Sequence, residues 1–225
     1  MGLIAKFKEI LQIVPVWIYN LFISRVLTVV THSYLADYLK KEEQKKEVSL
    51  DTILDIGIGT GLPLYKIASK FPQNAKILGV DIDENYVKAA QKLFKDKKNV
   101  EIRLQNFYEL DVKKEGQFDI VLFSFSFMLM PEREKAIILA KQLVKKDGRI
   151  IFLLTLHQKK NPLFEKMKPL IKYLTTIDFG NITYESEFDD LLKNCNMEVN
   201  KKVRVTSAFN PFLNLFKIFM VDCKA

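Results

Sequence analysis

Residues 53–61 read Ile-Leu-Asp-Ile-Gly-Ile-Gly-Thr-Gly, and this stretch decides the fold. An apolar run that ends in an acid and then breaks into three alternate glycines predicts a buried strand that turns sharply into a helix. The Leu-Pro-Leu of residues 62–64 suits a helix start, because proline in the first turn lacks only an N–H that would be unpaired there. Bare main chain at such a turn lets a ligand approach closely, and a tight turn without a ligand is the alternative.

The spacing of the glycines selects among nucleotide-binding patterns. A dinucleotide fingerprint needs glycine or alanine three residues after its second glycine, and counting from Gly57 and Gly59 that position is Leu62. No Lys-Ser or Lys-Thr pair follows, so the P-loop pattern fails as well. The pattern Asp-x-Gly-x-Gly-x-Gly resembles the first motif of class I (Rossmann-like) S-adenosylmethionine-dependent methyltransferases. The resemblance implies S-adenosylmethionine as cofactor, with its methionine part bound by Asp55, Gly57, Gly59 and Gly61.

A second predicted strand, residues 75–81, also ends in an acid. The carboxylate of Asp81 can accept hydrogen bonds from both ribose hydroxyls of an adenosine, although a helix cap is the alternative role. We expect Ile82 to lie against the adenine face. Asp83 is predicted to cap the helix that begins near Glu84.

Two further strands complete the predicted cofactor edge. Residues 99–104 lead into Asn106 and Phe107, where the family usually has an acid that contacts the adenine amine. The oxygen of Asn106 can still accept that bond, and Phe107 packs either on the adenine or in the core. Residues 117–127 resemble the family's fourth motif, whose strand end lies beside the transferred methyl, and this adds Ser124 to the implied cofactor site.

Composition bounds the class of protein. The 225 residues are 48% apolar, which allows one domain with a substantial core. Two cysteines, Cys195 and Cys223, suggest a reducing, cytoplasmic compartment, and with only His32 and His157 as histidines no metal site is expected. The net charge of +8 is dispersed, and the Pro-Pro signature of enzymes that methylate base amines is absent. No nucleic-acid partner is therefore expected.

The order of predicted elements gives the fold class. Strands and helices alternate from residue 50 to 156, which predicts a parallel sheet covered on both faces. The later predicted elements are a helix at 131–145, a turn at Asp147-Gly148, a strand at 149–156, a helix at 184–194 and strands at 197–207 and 216–223. The family resemblance implies a Rossmann-like three-layer αβα sandwich, with a mostly parallel seven-stranded sheet and an antiparallel last strand.

Two segments lie outside that core. Residues 1–49 are predicted to form an N-terminal helical lid or extension, and residues 50–225 the methyltransferase domain, with 157–183 as an acceptor-side insertion. Residues 10–30 are apolar but too interrupted for a membrane span. Residues 1–30 could pack on the sheet, cover the site, lie on a membrane surface or bind a partner protein, and peripheral membrane or mitochondrial association stays open.

Candidate catalytic residues follow from the chemistry. Methyl transfer is an in-line displacement that needs a general base only for acceptors that must lose a proton. His157 follows the fifth predicted strand, and the ordinary pKa of histidine suits proton transfer near neutral pH. A surface histidine at a strand end without a catalytic role is the alternative. Tyr19 and Asn20 resemble a Tyr-Asp pair that many small-molecule methyltransferases carry ahead of the first strand. The other polar candidates, which the sequence does not rank, are Tyr34, Tyr65, Asp178 and Tyr184.

The resemblance is nearest to the ubiquinone/menaquinone-biosynthesis type of small-molecule methyltransferase. It implies transfer of a methyl group from S-adenosylmethionine to a small, apolar acceptor such as a lipid or quinone. An apolar acceptor is also favoured by large side chains near the expected site, although residues of this type are mostly core: Trp17, Phe22, Phe125, Phe127, Met128 and Met130. The alternatives are an inactive methyltransferase-fold protein that binds or assembles, and a protein or RNA methyltransferase.

Overall fold

The computed structural model describes residues 28–158, 182–205 and 217–225, and these contain a seven-stranded mixed sheet. The strand order is β3-β2-β1-β4-β5-β7-β6. Strands β1 to β5 pair in parallel, and β7 runs antiparallel to both β5 and β6. The strands are β1 (Thr52–Ile56), β2 (Lys76–Asp81), β3 (Val100–Leu104), β4 (Phe118–Ser124), β5 (Val144–Thr155), β6 (Glu198–Arg204) and β7 (Ile218–Lys224). The predicted seven-stranded sheet with its antiparallel last strand is confirmed.

Helices cover both faces of this sheet, which gives the predicted three layers. The helices described are α1 (Val29–Gln44), α2 (Leu62–Ile67), α3 (Glu84–Phe94), α4 (Val112–Glu115), α5 (Arg133–Leu143) and α6 (Glu185–Asn194). Successive residues of β4 point to opposite faces, so Leu122 packs with α1, α2 and α3, whereas Phe123 packs with α5 and α6. Each face therefore has its own apolar core, and both cores are closed by helices.

The order of the strands reverses beside β1. From β1 the chain adds β2 and β3 on one side, and then returns to place β4 and β5 on the other. Helices that leave β1 and β4 diverge at such a reversal, and ligands of open α/β sheets bind in the crevice that results. The carboxyl ends of β1, β2 and β4 are therefore the edge at which a site is expected.

Two predicted boundaries were wrong. Strand β4 ends at Ser124 rather than continuing to residue 127, because Phe125 takes a positive φ of 59° that breaks the strand. The turn predicted at Asp147-Gly148 is instead an irregular bulge inside β5, between the register pairs Phe118–Val144 and Ile120–Arg149. A Cβ on Gly148 would lie 2.6 Å from the carbonyl oxygen of Asp119, so glycine here serves close strand packing.

The helix before β1 packs into the domain core. Leu35 and Leu39 of α1 are fully buried in the cluster on its face of the sheet. Tyr38 donates a hydrogen bond of 2.6 Å to the buried carboxylate of Asp222 on β7. The part of the predicted extension before residue 28 lies outside the described residues, as does most of the 157–183 segment. Among the helices described, none is both long and apolar enough to cross a membrane.

Candidate cofactor site and family

The glycine turn between β1 and α2 holds three left-handed residues. Gly57, Gly59 and Gly61 have φ values of 73°, 59° and 69°, a region that other residues adopt only under strain. A Cβ on Gly57 would overlap the side chain of Ser126, and one on Gly61 would lie 2.7 Å from the ring of Phe94. These two glycines are thus required by packing within the chain.

Gly59 differs from its neighbours because space is open above it. Apart from Gly59 itself and its two neighbours in the chain, no atom of a described residue lies within 4 Å of the position that its Cβ would occupy. Its N–H donates a hydrogen bond of 2.8 Å to Oδ2 of Asp81, which joins the turn after β1 to the end of β2. Of the three glycines predicted to face a ligand, Gly59 is the one that the structure leaves uncovered by described residues.

Asp81 stands half-buried at the junction of the two strand ends. Its other oxygen, Oδ1, accepts the N–H of Asp83 at 2.9 Å, and each carboxylate oxygen keeps lone-pair capacity for a further donor. Burial raises the pKa of Asp81 above its ordinary value, against the hydrogen bonds from the main chain. Asp83 accepts the N–H groups of Asn85 and Tyr86, so its predicted role as the cap of α3 is confirmed.

Asp55 of β1 is a buried carboxyl group with an unsatisfied oxygen. The residue is 1% exposed, and its Oδ1 has no hydrogen-bond partner in the described structure. Burial, and then the nearby charge of Asp81, raise the pKa of Asp55 to about 7. An unpaired buried acceptor is costly, and a cationic donor would offset that cost. The ammonium group of a methionine moiety has this chemistry.

Two apolar side chains are left in solvent beside Asp81. Ile82 is 76% exposed, and Leu104, which pairs in register with Asp81 across β2 and β3, is 53% exposed. The face of a flat aromatic ring such as adenine could pack against both. Leu104 was missed from the sequence because its place opposite Asp81 depends on strand register.

The two residues predicted to follow β3 have partners within the chain. The side-chain oxygen of Asn106 accepts the N–H of Tyr108 at 3.1 Å, and its nitrogen donates to Glu109 at 3.2 Å. Phe107 is 3% exposed and packs edge-on against Phe123 in the core, with ring centres 5.7 Å apart. Their predicted contacts with adenine stay predictions.

Ser124 at the end of β4 is hydrogen-bonded to a histidine that the sequence did not single out. Nε2 of His32, in the first turns of α1, lies 2.8 Å from Oγ of Ser124. Nδ1 of His32 lies 2.7 Å from the carbonyl oxygen of Thr28, and the ring is 2% exposed. Burial lowers the pKa of His32 to about 4.

The candidate catalytic residues are placed only in part. His157 follows β5 at the same sheet edge, where its main chain bonds to Thr183 and Glu185, and its catalytic role stays a prediction. Tyr19 lies outside the described residues, as do Asn20, Trp17, Phe22 and Asp178. Phe127 and Met128, which favoured an apolar acceptor in the sequence, are buried core residues at 0% and 7% exposure. Their burial agrees with the alternative stated for residues of this type, that they are core, and the apolar acceptor stays a prediction.

Two surface depressions of the described chain lie away from the strand ends. One of about 370 Å³ is lined by residues 132–135 and Ile138 of the α5 region, and one of about 360 Å³ lies between α6 and β6. Both are open and bordered by charged side chains. The strand-end residues are a better candidate site, because they combine an unsatisfied acid, an open glycine and exposed apolar side chains.

Comparison with known proteins decides the family. A family profile described as a methyltransferase domain matches residues 47–210, which is most of the chain. The chain belongs to the methyltransferase family. It is of class I, the S-adenosylmethionine-dependent class that the sequence resembled, and S-adenosylmethionine is the cofactor of such domains.

The curated relatives are distant and match in part. A demethylmenaquinone methyltransferase of Lactococcus lactis is 28% identical over 108 residues, which are 47% of this chain and 42% of that protein. A phosphatidylethanolamine N-methyltransferase of Cereibacter sphaeroides is 25% identical over 56% of this chain and 61% of the relative. The chain thus spans less than two-thirds of the length of either relative.

Solved structures share the fold over nearly the whole chain. An S-adenosylmethionine-dependent methyltransferase from Clostridium acetobutylicum superposes with a TM-score of 0.64 at 13% identity, and the match covers 93% of this chain and 96% of that one. At that identity the likeness shows the fold. It confirms the predicted Rossmann-like architecture.

Proposed function

We propose that this domain binds S-adenosylmethionine across the carboxyl ends of β1, β2 and β4 and transfers its methyl group to a small, apolar acceptor. The observation that carries the proposal is the junction of Gly59 and Asp81. There an uncovered main chain and a half-buried carboxylate lie within one hydrogen bond of each other. Adenosine with an attached cation fits the groups around this junction.

Each part of the cofactor has a matching group in the chain. The carboxylate of Asp81 would accept the ribose hydroxyls, and Ile82 with Leu104 would cover the adenine. The unsatisfied Oδ1 of Asp55 would accept the ammonium group, whose positive charge would also lower the raised pKa of this acid. Gly59 gives the open main chain along which the methionine part would pass.

The protein's share of the chemistry is positioning. When bound, S-adenosylmethionine supplies an electrophilic methyl group on a sulfonium sulfur. The strand ends would hold that group while water is kept out, and alignment of the reacting atoms accounts for a large part of the rate in such displacements. A base such as His157 would take part only if the acceptor atom carries a proton to be removed.

An apolar small molecule is the acceptor that we propose. Two of the curated relatives are named for demethylmenaquinone and for phosphatidylethanolamine, and both names denote lipids. A lipid or quinone acceptor would also suit the apolar residues that the sequence places before residue 28.

Titration with S-adenosylmethionine tests the cofactor site. Asp81→Ala removes the proposed ribose acceptor, so we expect binding to weaken by about 1.5–3 kcal/mol, which is about 10- to 150-fold in Kd by calorimetry. Asp83→Ala is the matched control, because it removes the cap of α3 and costs stability without removing a ribose contact. An unchanged Kd for Asp81→Ala would remove Asp81 from the site.

Methyl transfer is tested with the wild-type protein and radiolabelled cofactor. We expect label to enter a total lipid extract and not purified RNA or a protein mixture. Label found only in RNA or only in protein would show that the acceptor is that macromolecule and not a small apolar molecule.

A second candidate is a binding or assembly protein that keeps the fold without turnover. It is favoured by Asn106, which stands where the family has an acid and whose side-chain oxygen is used within its own turn. Cofactor binding without transfer to lipid, RNA or protein would support this candidate.

We also propose that residues 1–49 and 157–183 contribute the acceptor side of the site, with residues 1–30 able to reach a membrane surface. Trp17 is the one tryptophan of the chain, so tryptophan fluorescence reports on residues 1–30 alone. A blue shift with anionic lipid vesicles would support membrane contact. A change with S-adenosylmethionine alone would support a lid over the cofactor.

A further inference from the structure

The His32–Ser124 pair joins the helix before the sheet to the end of β4. Both hydrogen bonds of the His32 ring are short, at 2.7 Å to the carbonyl oxygen of Thr28 and 2.8 Å to Oγ of Ser124. The two residues are 92 positions apart in the sequence, so the contact exists only in the folded domain. The pair lies at the edge where the cofactor is proposed to bind.

The partners of the ring decide where its hydrogen lies. A carbonyl oxygen can only accept, so the Nδ1 that faces Thr28 must carry the hydrogen. The lowered pKa keeps the buried ring neutral near pH 7, so Nε2 holds a lone pair. The hydroxyl of Ser124 must then donate to Nε2.

This arrangement leaves Ser124 Oγ with lone pairs and no hydrogen to offer. Ser124 is half-buried, and it lies on the same face of the sheet as Asp55, because Asp55 pairs with Leu122 and residues two apart on a strand share a face. The next residue, Phe125, has a left-handed backbone that fixes the end of the strand. The edge therefore presents two hydrogen-bond acceptors on one face.

We propose that His32 is a positioning residue that fixes Ser124 Oγ as a hydrogen-bond acceptor for an N–H or O–H group bound at the end of β4. This inference rests on the proposed function. The bound group is in either case a hydrogen-bond donor. It belongs either to the ammonium group of the cofactor or to a hydroxyl or amine on the methyl acceptor. Without His32 the hydroxyl of Ser124 would rotate freely and could turn its hydrogen toward such a donor.

Two nucleosides separate the sources. S-adenosylmethionine carries the ammonium group, and 5′-methylthioadenosine lacks the whole amino-acid part. If Ser124 accepts from the ammonium, Ser124→Ala and His32→Leu weaken S-adenosylmethionine binding by about tenfold and leave 5′-methylthioadenosine binding unchanged. If it accepts from the methyl acceptor, both nucleosides bind as in the wild type and label transfer to a lipid extract falls.

Matched variants separate positioning from folding. His32→Gln keeps a side-chain oxygen that can accept from Ser124, so it should recover part of what His32→Leu loses. Ser33→Ala is the control on the same helix, where the hydroxyl accepts from Lys70 at 2.7 Å, and it should leave both nucleosides unaffected. Equal weakening of both nucleosides by Ser124→Ala would overturn the inference, as would no change in binding or transfer.

The hydrogen position itself can be measured. The chain has two histidines, so ¹⁵N-histidine labelling gives two imidazole spectra, and His157→Gln assigns them. We expect His32 to be neutral at pH 7, with hydrogen on Nδ1 and a free Nε2. Hydrogen on Nε2 would overturn the inference, regardless of the result of the binding measurements.

The two proposals can fail separately. If the wild type binds neither nucleoside, the proposed function fails. If the wild type binds S-adenosylmethionine and Ser124→Ala changes neither binding nor transfer, only this inference fails.

Discussion

Among single residues, the proposed site is distinguished by a buried polar group without a partner and by apolar side chains exposed to solvent. Asp55 is an acid with an unsatisfied buried oxygen, and Ile82 is an apolar side chain that is 76% exposed. Either feature costs free energy in the isolated domain, and a bound adenosine with a cationic tail would relieve both. The sequence indicated the acid and the apolar residue by motif. It gave no sign of the missing partner or of the exposure.

Ile82 allows a test in which binding and stability separate. Because the side chain is exposed, Ile82→Ser should change the free energy of unfolding by less than about 0.5 kcal/mol. It removes apolar surface that adenine would cover. We therefore expect the binding of S-adenosylmethionine to weaken by about 1 kcal/mol, which is about a fivefold rise in Kd. Calorimetric titration and urea unfolding measure the two effects.

The control for Ile82 is Ile138→Ser, since Ile138 on α5 is 47% exposed and lies away from the strand ends. A rise in Kd of the same size for both variants would show that the effect is not local to the adenine position.

At the scale of elements, the three glycines of the turn have different tasks. Gly57 and Gly61 are held by close packing against Ser126 and Phe94, whereas Gly59 borders open space. The motif in the sequence treats them alike, because it cannot show that Ser126 and Phe94 come close in the fold. Similarly, hydrophobic patterning predicted the strands, but the end of β4 and the bulge in β5 depend on a backbone angle and on register.

The glycines therefore predict two kinds of variant. Gly61→Ala adds left-handed strain of about 1–2 kcal/mol and a contact at 2.7 Å with Phe94, which adds about 1–3 kcal/mol of overpacking. Gly59→Ala adds the strain alone. We expect urea unfolding to show a larger loss of stability for Gly61→Ala than for Gly59→Ala. We expect calorimetry to show that Gly59→Ala loses more cofactor binding free energy per unit of unfolding free energy lost than Gly61→Ala does.

Phe94→Leu in the Gly61→Ala background should restore part of the stability by giving the new methyl group room. If the two single variants were equally destabilised, the contact with Phe94 would not be the reason for Gly61.

At the scale of the whole molecule, the sequence was sufficient for the architecture and for the sheet edge at which the site is proposed. Alternating apolar strands and amphipathic helices, with acids at Asp55 and Asp81, predicted the sheet and its functional edge. The His32–Ser124 bond was out of reach, because it joins two elements whose approach depends on tertiary packing. A lone histidine on an amphipathic helix has no periodic signal that would indicate its partner.

Two buried groups on one face of the sheet, Asp55 and His32, make opposite contributions to the dependence of stability on pH. The folded state raises the pKa of Asp55 from 3.8 to about 7, so it holds a proton that the unfolded chain has released, and this contribution makes stability fall as pH rises between those values. The folded state lowers the pKa of His32 from 6.5 to about 4, so the unfolded chain binds the extra proton. That contribution makes stability rise with pH between about 4 and 6.5.

Because the two contributions oppose each other, removing either group should tilt the pH profile of the cofactor-free wild type in a known direction. Asp55→Asn removes the acid contribution, so relative to the wild type its stability should rise with pH by an amount on the order of 2–3 kcal/mol between pH 4.5 and 6.5. His32→Gln removes the histidine contribution, so relative to the wild type its stability should fall with pH by a similar amount. Urea unfolding at four pH values measures the three slopes, with Ser33→Ala, which removes no titratable group, as the control that should follow the wild type. Parallel profiles for Asp55→Asn and His32→Gln would show that these two buried groups do not titrate in opposite directions.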